Sequence, residues 1–222
     1  MPYLGRTSAS TPRSWNRGEY CSTPADVAFV IDRTSNMNFD SYSNLLLNLV
    51  SYVVTNYRIE IKVALVTFSD SPTIEFHFNN NMSVGEVAAA ITRASYGGAR
   101  ANLADALRVL RTDIFNAANG HRTDSNIASV AVVITDNLST NTTATLIEAQ
   151  RVIEAGIQVI TVGIGTYINE YELSAVASYP YWKNMIITNT VQTLGNDTFK
   201  ESLLDLVCNS KYFSTIVYHY QR

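Results

Sequence analysis

Val27-Ala28-Phe29-Val30-Ile31-Asp32 is a continuous apolar run that stops on an acid, and Ile127 to Thr135 repeats the pattern later in the chain, stopping on Asp136. A run without alternation suits a strand buried on both faces, because a parallel sheet needs an apolar layer against each side. Outward from these runs the hydrophobic period changes. Phe39, Tyr42, Leu45, Leu46, Leu49 and Val53 fall at helical spacing on one face. Ile59 to Phe68 reads as a second strand and Thr73 to Phe78 as a third. The Asp70-Ser71-Pro72 turn between them is too short for a crossover, so this pair should be antiparallel.

The alternation continues to the last cysteine. Ser83-Val84-Gly85-Glu86 is a capping box, and Gly97-Gly98 precedes a helix with Leu103, Ala106, Leu107, Leu110 and Ile114 on its apolar face. A helix from Thr143 to Ala155 ends at Gly156, which suits a left-handed cap. Gln158 to Ile164 is a strand, Asn169 to Ala177 a short helix and Met185 to Ile187 a short strand. Thr198-Phe199-Lys200-Glu201 reads as a second capping box, opening a helix that ends at Cys208. Strands interleaved with helices predict an α/β fold: a three-layer, Rossmann-like, doubly wound sandwich, mainly parallel with one antiparallel edge strand.

The chain has 222 residues, 46% hydrophobic and 16% charged, which is enough for one domain with a real core. A net charge of -3, with the basic residues scattered, argues against a nucleic-acid binder, which would need a basic face to meet phosphates. The loose basic group Arg6, Arg13 and Arg17 reads as a solvated tail. Apolar runs stop well short of membrane-spanning length, so no membrane insertion is expected. Residues 1–20 read as a flexible N-terminal segment without an apolar signal core, 21–208 as the folded domain, and 209–222 as a tail or linker. Cys21 and Cys208 bracket the patterned region and pair if both ends lie on one side; two free thiols are the alternative. A disulfide, with four N-glycosylation sequons at Asn81, Asn137, Asn141 and Asn196, points to a secreted, extracellular protein whose signal peptide is not present in this chain.

In doubly wound sheets ligands bind beyond the carboxyl ends of the strands, where the strand order reverses. Asp32 and Asp136 end the two most apolar strands, and two carboxylates brought together there need a cation, a shared proton or basic partners. Asp32, Thr34 and Asn36 at alternate positions are hard oxygen donors of the kind that hold Mg²⁺ or Mn²⁺. Nucleotide fingerprints are missing: neither G-x-G-x-x-G nor a Walker loop occurs, and Gly163-Ile164-Gly165 lacks the third glycine. There is no G-x-S-x-G elbow. His77, His121 and His219 are scattered and read as bystanders.

Asp26-Val27-Ala28-Phe29-Val30-Ile31-Asp32-Arg33-Thr34-Ser35-Asn36 resembles the opening of a von Willebrand factor type A (VWA) domain. So do Val63 to Asp70, Gly97-Gly98 with Asn102 to Leu107, Val132 to Asn137 and Gln158 to Gly165, in the family's order from about Cys21 to Cys208. The flanking cysteines are similar to those that close collagen-binding members. The resemblance implies a metal-ion-dependent adhesion site (MIDAS) built from an Asp-x-Ser-x-Ser loop, a threonine and a second aspartate, completed by a carboxylate of the ligand protein. Asp32 and Asp136 match its aspartates, Thr34 replaces the first serine, Asn36 the second, and the threonine position falls on Ala101, which offers no oxygen. The implied site is degenerate, with weak Mg²⁺ or Mn²⁺ binding. Arg33 and Arg100 flank it and are candidates to replace the ion's charge, and a glycan on Asn137 would crowd it.

The implied function is extracellular protein–protein adhesion to a matrix or fibrous partner such as collagen, without enzymatic activity. The alternatives are a structural or self-associating spacer in a secreted matrix and, more remotely, a metal-dependent hydrolase using Asp32 and Asp136.

Overall fold

The computed structural model describes Cys21 and residues 23–210. The expectations for residues 1–20, for residues 211–222 and for His219 lie outside the described residues. The strands are β1 (Ala25–Asp32), β2 (Ile61–Phe68), β3 (Pro72–Phe76), β4 (Ala128–Thr135), β5 (Gln158–Ile164) and β6 (Met185–Thr188). They form one sheet in the order β3-β2-β1-β4-β5-β6. Every neighbouring pair is parallel except β2 with β3, which is antiparallel, as the three-residue turn requires.

Helices cover both faces, which is why the central strands carry no polar side. Val27, Phe29 and Ile31 of β1 join one core with α2 (Leu47–Asn56), α3 (Val84–Ile91) and α7 (Asp197–Cys208). Ala28 and Val30 join the other core with α4 (Leu103–Val109), α5 (Thr142–Glu154) and α6 (Glu170–Val176). The side chains on this second face alternate between small and larger, with Ala28, Ala64 and Ala131 letting the helices approach.

Two helices depart from the simple period. The stretch expected as one helix from Phe39 begins as α1 (Phe39–Ser41) and widens into a π-helical turn over Tyr42–Leu46 before α2. The extra residue per turn rotates the face, so Tyr42, Leu46, Leu49 and Val53 are buried while Phe39 is exposed against the Tyr96 ring. A second π turn, Leu110–Ile114, follows α4. The Ser83 capping box forms as read. The one read at Thr198 does not: α7 starts a residue earlier at Asp197, Asn196 occupies the cap position without a side-chain bond, and Thr198 sits within the first turn.

The two ends of the described region are tied at the amino ends of the strands. Cys21 and Cys208 are disulfide-bonded across a sequence separation of 187 residues, with their Cα atoms 4.4 Å apart. Closing so long a loop restricts the unfolded chain by roughly 5 kcal/mol in the entropy model. Asp26, near the start of β1 and fully buried, would be an uncompensated charge if unpaired. Arg122 answers it with a backbone N–H bond to Oδ2 at 2.6 Å, an Nε bond to Oδ1 at 2.8 Å, and further donations to Glu60 and to the Ala25 carbonyl. Replacing Arg122 by alanine is expected to cost about 3–5 kcal/mol, because the buried carboxylate loses its only guanidinium. A urea titration reads this as a lower midpoint at unchanged slope; a loss under about 1 kcal/mol would show the clasp to be incidental.

Candidate functional site

The strand order reverses between β1 and β4, so the crevice that a doubly wound sheet offers opens at their carboxyl ends. Ile31 pairs with Ile134 in the parallel register, which sets Asp32 beside Thr135 and carries Asp136 one residue beyond. The Thr135 hydroxyl donates to Asp32 Oδ2 at 2.6 Å, and the Thr34 amide donates to Asp32 Oδ1 at 3.0 Å. Asn36 reaches across: its Nδ2 donates to the Asp136 backbone carbonyl at 3.0 Å. Asn137 Nδ2 donates to Thr34 Oγ1 at 3.3 Å. Asp32, Thr34, Asn36 and Asp136 are thereby brought together at one rim.

Both carboxylates are buried, Asp32 being 4% and Asp136 8% exposed. Burial raises the pKa of Asp32, with hydrogen bonds from Thr135 and Thr34 opposing it. Burial together with the nearby Asp32 charge pushes Asp136 up to about 7, offset in part by a hydrogen bond from Asn36. Two acids crowded in this way call for a cation or a proton.

The arginines do not supply that charge by direct pairing. Arg33 Nη1 donates to the Gly97 carbonyl, and its charge is the smallest of the influences lowering Asp32. Arg100 is drawn instead to Asp70, Nε to Oδ1 at 2.8 Å, on the exposed surface. The reason is local: the Asp70 carboxylate also caps the Ala99 amide, so it faces the loop that carries Arg100. That loop is docked onto the first by Gly97 N to the Arg33 carbonyl at 2.7 Å and Ser35 N to the Gly98 carbonyl at 3.1 Å. Gly98 makes the docking fit: its φ is +135°, and a Cβ there would lie 2.3 Å from Ser69 Cβ.

Ala101 is buried and bridges in parallel fashion to Ser139, and its carbonyl accepts from Thr140 N at 2.8 Å. It joins the rim loops but contributes no side-chain oxygen. The donor set available to a cation is therefore two carboxylates, the Thr34 hydroxyl and the Asn36 amide oxygen. These are hard oxygens of the kind that suit Mg²⁺ or Mn²⁺. Among the described residues no group of three or more His, Cys, Asp or Glu gathers as a metal site. A cleft of about 210 Å³ opens beside Asp136, lined by Asn36, Met37, Ile164 and Tyr167 among others.

The other singled-out residues lie elsewhere. Asn81, Asn141 and Asn196 are exposed; Asn141 caps α5 through its Oδ1, accepting from Ala144 N at 3.0 Å. Asn137 is half-buried with its amide nitrogen already committed to Thr34. His121 is half-buried in a ring cluster with Phe78 and Phe115 and meets Ser129 Oγ at 2.8 Å. Glu172, buried and bonded to Ser139 Oγ, is a rim-side acid that the sequence reading passed over. Its signal was available in retrospect: it stands three residues after Asn169, the cap of α6.

A family model described as the von Willebrand factor type A domain matches residues 26–201. Human von Willebrand factor A domain-containing protein 2 is 23% identical over 210 residues, covering 93% of this chain and 26% of the relative. The collagen alpha-4(VI) chain of Mus musculus is 25% identical over 168 residues, covering 73% of this chain and 7% of the relative. The chain thus spans about a quarter or less of the length of these relatives. Proximal thread matrix protein 1 from the mussel byssus shares the fold with a TM-score of 0.78 at 21% identity, over 85% of this chain and 49% of that one. A structure of the same thread protein with a zinc-occupied MIDAS motif gives 0.75 at 21% identity, over 85% and 49% of the respective chains.

The acid pair predicts a pH dependence. In the folded chain Asp136 holds its proton up to about pH 7, whereas the unfolded chain releases it near the ordinary 3.8. The folded state therefore binds more protons between those values, and this group's contribution to stability is full below about pH 4 and lost as pH rises through 7. Asp136→Asn, measured in chelator, is expected to stabilise the domain at pH 8 by about 2 kcal/mol and by much less at pH 5. Thermal melts at the two pH values check this; an equal or opposite effect would contradict it.

Proposed function

This chain belongs to the von Willebrand factor type A family, and on that premise we propose that it is an extracellular adhesion module that binds a matrix or fibrous protein, collagen foremost, with little dependence on a divalent cation. The observation that carries the second half is the rim itself. Asp32 and Asp136 are delivered side by side, yet Ala101 stands where the family's threonine oxygen is expected, and Thr34 Oγ1 already accepts from Asn137. Losing one oxygen from such a shell lowers affinity about ten- to a hundredfold. When bound, Mg²⁺ or Mn²⁺ would supply the positive charge to which a partner's carboxylate attaches. Asp32, Thr34, Asn36 and Asp136 would hold it.

Three considerations support adhesion over chemistry. Thr135, the hydroxyl in closest contact with a rim carboxylate, is 2% exposed and so is shielded from any substrate. The relatives include a collagen chain, which supports a matrix protein as the partner. The buried disulfide fits an oxidising compartment, and no helix among the described residues is long and apolar enough to cross a membrane.

Solid-phase binding to a panel of matrix proteins, run with Mg²⁺, with Mn²⁺ and with chelator, tests the reading. Binding to a fibrillar collagen or another matrix protein is expected to persist in chelator within about twofold, and Ala101→Thr is expected to raise Mn²⁺ affinity about tenfold. Binding abolished by chelator would overturn the metal-independent part. No binding to any matrix protein would overturn the adhesive reading.

A further inference from the structure

We propose that Asn141 and Asn196 carry N-linked glycans that stand on opposite flanks of the acid rim and screen it from bulky partners, and that Asn137 carries none. The inference rests on the extracellular reading and deepens it by saying what can reach the rim.

The glycan of such a site is built on the side-chain amide nitrogen of an Asn-x-Ser/Thr sequence. The Nδ2–C1 bond forms as the C1–O bond to a lipid-pyrophosphate oligosaccharide donor breaks. Nδ2 gives up one proton, and the lipid pyrophosphate leaves with the electron pair. The folded chain must then hold Nδ2 where a branched sugar has room, and the sequons differ in this respect.

Asn141 caps α5 through Oδ1 alone, which accepts from Ala144 N at 3.0 Å. Glycosylation leaves that oxygen in place, so the cap survives the modification. Asn196 holds the cap position of α7 without a side-chain bond. Both asparagines are exposed, as are Thr143 and Thr198, which complete their sequons. Among the described residues none takes up the Nδ2 of Asn141 or of Asn196. Asn137 is built into the fold instead. It is half-buried, its Nδ2 donates to Thr34 Oγ1 at 3.3 Å, and its Oδ1 accepts from Leu138 N at 3.1 Å. Thr34 is 2% exposed, so a sugar on that nitrogen would have to break the contact and push into the rim. Ser139, which completes this sequon, is itself held by the buried Glu172.

The topology sets the two open acceptors on either side of the acids. Asn141 follows Thr140, whose amide donates to the Ala101 carbonyl of the rim loops at 2.8 Å, and it heads α5 on one face of the sheet. Asn196 heads α7 on the other face. The 12 residues of α7 run about 18 Å to Cys208, which is tied at the amino ends of the strands, so the helix begins at their carboxyl ends. Val191, in the turn just before Asn196, lines the cleft beside Asp136. Two bulky, hydrated sugars at these points leave the rim between them. Asn81 is also exposed, but it follows Asn80, whose Nδ2 donates to the Val63 carbonyl in the amino half of β2, so a glycan there lies away from the rim.

The test is glycopeptide mapping of the full chain secreted from animal cells. Sugar is expected at Asn141 and Asn196 and none at Asn137. Thr143→Ala and Thr198→Ala each remove a sequon while keeping both asparagines and the Asn141 cap, and each is expected to lower the intact mass by one glycan. Access to the rim is read in Leu138→Cys, a rim-loop position that is 54% exposed, labelled with N-ethylmaleimide and with a polymer-linked maleimide before and after endoglycosidase digestion. Digestion is expected to speed the polymer reagent several-fold and to leave the small one unchanged. Sugar at Asn137, an empty Asn141 or Asn196, or polymer labelling equal before and after digestion overturns the proposal. A chain without sugar that still binds the matrix panel overturns it and leaves the adhesive reading standing. A chain glycosylated at Asn141 and Asn196 that binds no matrix protein supports this proposal and overturns the adhesive reading.

Discussion

The in-register parallel pairing of β1 with β4 is the constraint on which the remaining structure depends. These strands are adjacent in the sheet but separated in sequence by β2, β3 and two helical layers, so the pairing is where the chain reverses its direction of winding. It makes both strands central and forces apolar residues onto both faces of each. It also delivers the first polar residues after each run, Asp32 and Asp136, to the same rim. A slip of one residue in that pairing would turn every side chain of β1 to the opposite face and part Asp32 from Thr135.

The rim that results is an electrostatic problem solved only in part. Asp32 is satisfied by Thr34 and Thr135, while Asp136 leans on Asn36 and on retaining its proton. The flanking arginines hold loops: Arg33 the Gly97 turn, Arg100 the Asp70 turn. The loops that carry these groups are docked onto one another through Gly97, Gly98 and Ser35.

The architecture was legible because its determinants are local. Apolar runs, the Asp70-Ser71-Pro72 turn and the Ser83–Glu86 box each act within a few residues, and the structure follows them. The bracketing of the patterned region by Cys21 and Cys208 was also readable, since strand starts and the end of α7 meet on one side of a wound sheet. What escaped depends on contacts across the fold. Nothing in the spacing marks the π turn at Tyr42–Leu46, which trades helical regularity for burial of Tyr42. Arg122 finds Asp26 across a separation of 96 residues, and Asp70 competes for Arg100 only once two loops are docked. Thr198 carries the residues of a cap, but Asn196 already occupies the cap position.

Carboxyl-carbon NMR titration of the isotope-labelled chain in chelator, for wild type and for Asp32→Asn, addresses the claim that these two acids share one buried rim. The account predicts that Asp136 titrates with a midpoint near 7 in the wild type and that the midpoint falls clearly when the Asp32 charge is removed. Two independent titrations at ordinary carboxylate values, unchanged by the substitution, would contradict it.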